Sequence, residues 1–283
     1  MTSRTSSAAD VRRILPGFGL SLGFGLCYLS AFVLVPLAAL FLAASGLGPA
    51  AIWDLVTERR AAAAYSLSIG AALVAATVDV VFGAVVAWVL VRYRFPGRRV
   101  LDALVDLPFA LPTAVSGIAL TTLFVERGWV GRYLAPLGIE VAFTRVGITL
   151  ALVFIGIPFV VRTLQPAIEE LGAGMEEASA TLGAGRLRSL RTVVLPPLVP
   201  ALLTGFVLAF ARALGEYGSV IFIAGNMPGE TEILPLLIVI ELEQFDYASA
   251  TALGAVMLIL SFTMLLVVNA LQSWGSRRFE AGA

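Results

Sequence analysis

Lysine and histidine are absent from this sequence of 283 residues, and cysteine occurs once. Without lysine the chain has no Walker A lysine and no Schiff-base amine. Without histidine it has no HExxH motif, no Ser-His-Asp triad and no histidine-ligated metal. The single Cys27 lies in an apolar run and has no second cysteine for a disulfide. We therefore expect a chain that is not an enzyme and has no metal site or cofactor of its own.

Charge is also scarce, and apolar residues dominate. Charged residues make up 13% of the chain and hydrophobic residues 59%, with a mean hydropathy of +0.95. A soluble domain of this size does not need so much apolar surface, so the composition predicts an all-α polytopic membrane protein in contact with membrane lipid. The formal net charge is zero, and we expect no nucleic-acid partner.

The apolar runs predict about six membrane spans, each close to the length that crosses a bilayer. Prolines 108 and 112 are expected to bend the third span, and residues 233–240 form either a re-entrant or a surface-lying helix. A single transmembrane domain is expected over 20–273, between tails at 1–19 and 274–283. The predicted spans are residues 20–44, 61–91, 101–124, 146–161, 199–224 and 248–271.

Arginine is concentrated in alternate loops of this arrangement. The N-terminal tail, the 92–99 turn, the loop over 163–198 and the C-terminus hold more arginines than the intervening loops. Basic residues are enriched in cytoplasmic loops of membrane proteins. The distribution predicts that both termini and the 163–198 loop lie on the cytoplasmic side.

The longest polar interruption of the apolar sequence lies at residues 176–197, which read EEASATLGAGRLRSLRTVVLPP. Acidic residues in the first turn and good helix formers predict a helix over 175–182. Either of the two glycines that follow can adopt the positive φ that ends it. A second helix with an arginine face is expected over 186–195, until Pro196 and Pro197 stop it. Such a hairpin is suited to docking against a partner, and a solvated amphipathic loop is the alternative.

The predicted fifth span contains an embedded charged pair. Arg212 and Glu216 are four residues apart, so they share a helix face and can pair. Ionisable groups within a span should face the bundle interior or water. Gly215 and Gly218 let a helix or an ion approach the backbone closely. This face predicts either the lining of a translocation path, with Arg212 or nearby amides contacting an anion, or an internal ion pair that only fixes packing.

Other acids have more ordinary interpretations. We expect Asp79, near the middle of the second span, to make a structural interhelix hydrogen bond. Asp102 and Asp106 are expected to be charges near a helix N-terminus at the membrane interface. The segment 226–246 carries acids and no basic residue. It predicts contact with an external partner, packing, or simply a solvated loop.

The polar hairpin resembles the EAA loop of ABC-importer permeases, which is the coupling helix that sits in a cleft of the ATPase. Glu177-Ala178-Ser179 precedes Gly183 by three residues, and Val193-x-Leu195-Pro196 follows nine residues later. The match departs at Ser179, where Ala is usual, and at Val193, where Ile is common. The resemblance implies a set of ATPase-coupling residues: Glu176, Glu177, Ala178, Ser179, Gly183, Leu195 and Pro196.

A second resemblance covers nearly all of residues 60–273. Three segments are similar to the T-type permease subunit of sulfate/thiosulfate importers: DLPFALPTAVSGIAL over 106–120, ALGEYGSVIFIAGNMP over 213–228 and LEQFDY over 242–247. Molybdate permeases share the Leu-Gly-Glu-aromatic-Gly pattern, whereas the longer stretch favours the sulfate subunit. The residues proposed for the translocation path are Arg212, Gly215, Glu216, Tyr217, Gly218 and Ser219.

This resemblance implies an ABC type I importer permease fold in a bacterial inner membrane. The expected partners are a homologous W-type permease subunit, two copies of an ABC ATPase that bind ATP and Mg, and an external sulfate-binding protein. The substrate implied is sulfate or thiosulfate, with molybdate or tungstate as the rival. A secondary anion transporter or channel working without an ATPase, and a membrane scaffold or sensor, are the alternatives from other classes.

Overall fold

A computed structural model describes residues 18–280 of the chain, and for residue 268 and residues 271–280 the backbone alone. Most of the N-terminal tail predicted over 1–19 lies outside the described residues. The described part is all helical and contains no strand. Its helices are α1 Phe18–Ser45, α2 Pro49–Thr57, α3 Arg59–Arg92, α4 Arg98–Val105, α5 Leu107–Ala110, α6 Thr113–Phe124, α7 Gly131–Leu134, α8 Arg145–Leu171, α9 Gly174–Thr181, α10 Arg186–Leu214, α11 Val220–Ile223, α12 Leu234–Glu243 and α13 Tyr247–Glu280.

Five of the six expected spans are present as helices long and apolar enough to cross a membrane, namely α1, α3, α8, α10 and α13. The third expected span is not one helix, so that prediction is wrong in detail. It is divided into α4, α5 and α6, with breaks at Asp106 and at Leu111-Pro112. Proline supplies no backbone N–H and disfavours helical geometry in the residue before it, which explains the second break.

Two other predicted boundaries are also corrected. The fourth span continues past 161 to Leu171 and carries Pro158 and Pro166 inside the helix. The helix predicted to stop at Pro196 and Pro197 instead continues to Leu214. A π-helical turn at Leu190–Val194 precedes these prolines, which places them in the first turn of the following α-helical segment. Proline is tolerated there because its missing N–H costs no helical hydrogen bond.

The core of the fold is the contact between α3, α8 and α10. Val160 of α8 lies between two glycines on its neighbours. A Cβ on Gly83 of α3 would stand 2.8 Å from Val160 Cγ1, and a Cβ on Gly205 of α10 would stand 3.2 Å from Val160 Cα. Small residues at helix crossings let backbones approach closely in membranes. The apolar sequence of these three helices thus produces a closely packed centre.

Helix α12 enters this bundle near the start of α3, at the end opposite α9, which contacts the last residue of α3. Leu234, Leu236 and Leu237 are buried, which favours the predicted re-entrant helix over the surface-lying one. Arg60 at the start of α3 donates to both carboxylate oxygens of the buried Glu232, at 2.8 and 2.7 Å. This bidentate pair fixes the chain that leads into α12.

Helix α13 continues to Glu280, beyond the predicted span end at 271. Residues 274–280 are therefore helical where a C-terminal tail was expected, and the cytoplasmic position of that segment stays a prediction. Helix α1 packs against α13 at the edge of the bundle. Its one buried residue is Ala44.

Candidate functional sites: a polar hairpin and a broken span

The polar hairpin consists of α9, the bend at 182–185 and the start of α10. Gly172 ends α8 with a φ of 64° and leads directly into α9. Of the two glycines in the bend, Gly183 has a φ of 80°, whereas Gly185 has a φ of −68°. Only Gly183 therefore adopts the left-handed conformation that favours glycine. The prediction of two helices with a bend between them is confirmed.

The hairpin is closed internally by two serines. The hydroxyl oxygens of Ser179 in α9 and Ser189 in α10 lie 2.6 Å apart in a buried contact. Ser179 Oγ also donates to the carbonyl oxygen of Glu176, at 2.9 Å. Because a hydroxyl carries one proton, Ser189 is the donor between the two serines. Ser179, which departs from the usual EAA pattern, thus joins the two arms of the hairpin.

The tip of the hairpin is open on its outer surface. Glu177, Ala178 and Gly183 are exposed. Leu182 has 88% of its surface accessible and Met175 46%. These side chains combine a carboxylate, small residues and exposed apolar groups on one compact projection. Such a surface has the composition expected for docking against another protein.

The other predicted coupling residues occupy different positions. Glu176 is half-buried and forms an ion pair with Arg92 at the end of α3, with Arg92 Nη2 2.9 Å from Glu176 Oε1. Leu195 is 38% exposed and Pro196 is half-buried. Both lie in α10 beyond the π-helical turn. The hairpin tip and the Leu-Pro end of the motif therefore occupy separate positions in the structure.

The predicted translocation segment is a break between helices. Helix α10 ends at Leu214, so Arg212 and Glu216 do not share a continuous helical face, although they form the predicted pair, Nη1 to Oε2, at 2.5 Å. Glu216 is 3% exposed. Its other oxygen, Oε1, accepts from Ser219 N at 2.8 Å and from Ser219 Oγ at 3.0 Å. Both carboxylate oxygens are occupied, and Glu216 fixes the conformation of the 215–219 loop.

This loop packs closely on α6. A Cβ on Gly117 would stand 2.3 Å from the carbonyl oxygen of Ser219, and one on Gly218 would stand 2.2 Å from Thr113 Oγ1. Non-helical backbone at membrane depth is tolerated where protein covers it or where it lines a water-filled cavity. Gly117 and Gly218 at this contact let α6 pack closely enough to cover the non-helical backbone of the loop. Gly218 has the close-approach role that its sequence position predicts.

The remaining segment residues lie on other surfaces. Tyr217 is half-buried against the central core. Gly215 lines a cavity of about 350 Å³ between α1, α10 and α13, together with Leu37, Phe210 and Met257. The cavity is lined by apolar side chains apart from Ser261. The structure thus does not bring all six predicted path residues onto one surface.

Several charged contacts are not found by sequence reasoning. Arg162, which lies within α8, donates to Asp106 and to Asp102 Oδ1, the latter at 2.7 Å. Its hydrogen bond to Asp102 holds the pKa of that carboxyl below its usual value. The two acids are thus partners of Arg162, which ties the broken third span to α8. Because 56 and 60 residues separate Asp106 and Asp102 from Arg162 in the chain, no local sequence pattern predicts this pairing.

Asp79 is fully buried, but the interhelix hydrogen bond expected for it is wrong. Neither carboxyl oxygen has a hydrogen-bond partner among the described residues. Its carboxyl group packs instead against the backbone of α8 at Gly156. Which polar groups face Asp79 depends on the register between packed helices, and no local sequence pattern encodes that register.

Comparison with known proteins agrees with this architecture. The family model for binding-protein-dependent transport system inner membrane components matches residues 79–281. The sulfate transport system permease protein CysT of Salmonella typhimurium is 51% identical over 271 residues, covering 96% of this chain and 98% of that protein. The CysT protein of Escherichia coli K12 is 49% identical with the same coverage. That of Synechococcus elongatus is 48% identical over 250 residues, covering 88% of this chain and 90% of that protein.

Solved structures show the same fold at low sequence identity. A chain from a bacterial alginate ABC transporter in complex with an alginate pentasaccharide-bound periplasmic protein superposes with a TM-score of 0.74 and 19% identity, covering 96% of this chain and 97% of that one. A chain of a second alginate importer structure gives a TM-score of 0.70 at 16% identity, over 94% and 97% of the two chains. The fold is that of an ABC-importer permease.

Proposed function

This chain belongs to the binding-protein-dependent transport system inner membrane components, and from that membership we propose that it is the permease subunit of an ATP-driven importer for sulfate and thiosulfate. It forms half of a translocation path and hydrolyses no ATP itself. The observation that carries the proposal is the polar hairpin formed by α9, the bend at 182–185 and the start of α10. It is a compact projection joined covalently to two spans, α8 and α10, with Glu177, Ala178 and Gly183 exposed at its tip.

The hairpin is suited to converting ATPase closure into movement of the spans. Its two arms are held together by the Ser179–Ser189 contact, so a load applied at the tip is passed to α8 and α10 and not absorbed in the bend. Glu177 supplies a charge for the ATPase cleft, and Ala178 allows close approach. Two ATPase copies, a W-type permease and an external binding protein complete the importer.

The proposed substrate rests on similarity across the chain. Proteins named as sulfate transport permeases share about half of its residues over nearly its full length. Residues 213–228, with the Glu216-centred loop, belong to the region that is similar. Molybdate remains an outcome of the test, because a tetrahedral dianion of either kind presents the same charge to Arg212.

Within the path, we assign Arg212 and Glu216 different tasks. Glu216 is fully bonded and positions the loop. Arg212 uses Nη1 for Glu216 and keeps 32% of its side chain exposed. A guanidinium with free donors can interact with an oxyanion. Ser219 donates to Glu216 through its N–H and its hydroxyl, and Gly218 lets the loop pack closely on Thr113, whereas Gly215 and Tyr217 lie on other surfaces.

For orientation, we propose that the hairpin and both termini face the cytoplasm. The arginine-rich 92–99 turn follows directly on Arg92, which contacts Glu176, so these basic and hairpin segments share one side of the bundle. The excess of arginine on this side favours the cytoplasm. On the opposite side, the 226–246 segment would then face the external binding protein.

The test is uptake of labelled sulfate into vesicles that contain this chain with its candidate partners, with and without ATP and with molybdate as competitor. ATP-dependent uptake that resists excess molybdate supports the proposal. Uptake without an ATPase would remove the coupling role of the hairpin. ATP-driven uptake abolished by trace molybdate would keep the architecture and replace the substrate.

A further inference from the structure

Arg92, the last residue of α3, contacts three elements at once. Its Nη2 donates to the carbonyl oxygen of Gly172 at 2.6 Å and lies 2.9 Å from Glu176 Oε1. Its guanidinium carbon lies 5.2 Å from the centre of the Trp88 ring. The side chain is only 15% exposed. One cation therefore joins the end of α3, the end of α8 and the first turn of α9.

The Arg92 contact links α3 to the hairpin at the point where the backbone turns from α8 into α9. The hairpin follows α8 directly and continues into α10, whereas Arg92 at the end of α3 precedes Gly172 by eighty residues and is connected to it through the chain only by way of the intervening helices. Gly172 is the left-handed residue between α8 and α9, where the backbone changes direction. A cation at the C-terminal ends of α3 and α8 is also favoured by their dipoles. Arg92 thus contacts the hairpin at Gly172, where α8 leads into α9.

The contact is not fully made in this conformation. Arg92 Nε is buried without a hydrogen-bond partner among the described residues, and Glu176 Oε1, although within ion-pair distance of Nη2, is not in hydrogen-bond geometry. A guanidinium has five N–H donors in a planar fork. A small displacement of α9 can therefore improve the geometry between Glu176 and Arg92 without breaking the bond to Gly172.

We propose that Arg92 is a positioning residue that ties the hairpin to α3, so that displacement of the hairpin by the ATPase moves α3 together with α8 and α10. This inference rests on the proposed function of the hairpin. Because α3 and α8 pack along their length in the core, moving them together preserves that packing. Without Arg92 the hairpin turns about Gly172 and part of its movement is lost before it reaches α3.

The experiment compares Arg92→Gln, Arg92→Lys and Arg94→Gln in the complete importer reconstituted in vesicles, and measures sulfate taken up per ATP hydrolysed. Arg94 is exposed and two residues away, so its variant removes the same charge and is the matched control. A hydrogen bond to a charged group contributes enough free energy that its loss in Arg92→Gln should lower the sulfate taken up per ATP hydrolysed about tenfold. Arg92→Lys should recover part of this, and Arg94→Gln should match the wild type.

Amide hydrogen exchange of residues 174–181 supplies a second readout that needs no transport. Faster exchange in Arg92→Gln but not in Arg94→Gln is expected, in the assembled complex or in the permease alone. An unchanged uptake-to-ATP ratio in Arg92→Gln, or an equal loss in Arg94→Gln, would overturn the proposal, as would unchanged exchange. A wild-type importer that takes up no sulfate with ATP would instead overturn the proposed function, and the exchange measurement still decides the role of Arg92.

Discussion

Oδ2 of Asp79 lies 1.8 Å from the point where a Cβ on Gly156 would stand. The carboxyl group of one span thus occupies the space that the absent side chain leaves on another. Asp79 is fully buried, and burial of an acid without a partner in a membrane is costly. Neither carboxyl oxygen has a hydrogen-bond partner among the described residues. The contact between Asp79 and Gly156 is therefore a close steric fit and not a hydrogen bond.

Gly156→Ala should destabilise the permease, because its methyl group and the Asp79 carboxyl cannot occupy the same space. Asp79→Ala in the same chain should restore most of the loss by removing the carboxyl. Thermal unfolding in detergent measures both. Gly70→Ala is the control, since a Cβ there meets nothing within 4 Å. A Gly156→Ala protein as stable as the wild type would contradict this account of the fit.

The serine pair of the hairpin predicts a non-additive pair of substitutions. Ser179→Ala leaves the buried Ser189 hydroxyl without its acceptor, which should cost about 1 kcal/mol. Removing both hydroxyls in Ser179→Ala with Ser189→Ala should cost less than the sum of the single changes. Hydrogen exchange over 186–189 reports the local stability. Strict additivity would show that the two hydroxyls do not interact.

Gly183 predicts a graded series set by the backbone alone. Its φ is 80°, and a Cβ would meet nothing within 4 Å. Asn, which tolerates the left-handed region, should preserve uptake, Ala should reduce it, and Pro, whose φ is fixed near −65°, should uncouple ATP hydrolysis from uptake while the protein still inserts. Gly185→Ala is the control, with an ordinary φ of −68°. Normal uptake by a well-expressed Gly183→Pro protein would remove the hairpin from the mechanism.

The charged pair of the broken span predicts unequal effects of its two members. Arg212→Met leaves the buried Glu216 carboxylate without its cation, a change that costs about 3 kcal/mol in comparable buried pairs. Glu216→Gln removes the charge from the buried member and should cost less. The amount of folded protein and its unfolding temperature test the order. A larger loss of stability in Glu216→Gln than in Arg212→Met would contradict the view that the buried Glu216 carboxylate is the member that needs its partner.

Asp102, which lies in α4 and outside the five long apolar helices, predicts a pH effect through its contact with Arg162. Arg162 lowers the pKa of Asp102, so the contact stabilises the fold above the unfolded pKa of aspartate, about 3.9, and the stabilisation is lost as the pH falls through the lower folded value. Asp102 is 45% exposed, which keeps the effect small. The unfolding temperature of Asp102→Asn should fall less than that of the wild type on acidification below about pH 4. Identical pH profiles would show that Asp102 does not contribute to the acid sensitivity of the fold.

Local sequence patterns predicted most of the helices. Five apolar runs became spans because length and hydropathy alone decide whether a segment can cross a bilayer. The hairpin followed from the glycine at 183 and the acidic first turn of α9, both of which act within a few residues. Two of the errors in helix boundaries arose at prolines. Pro196 and Pro197 did not end α10, since a π-helical turn shifted the register before them, and one proline-containing run, 101–124, became three helices.

The sequence by itself determined the class of protein, the number of long apolar helices to within one, the family resemblance and the polar hairpin, because each depends on composition or on neighbours in the chain. Only the tertiary structure decided which charges meet when they are far apart in the chain. Arg92 with Glu176, Arg162 with Asp102 and Asp106, and Arg60 with Glu232 are joined across long stretches of chain. Their pairing depends on the relative register of packed helices, and no local pattern encodes that register.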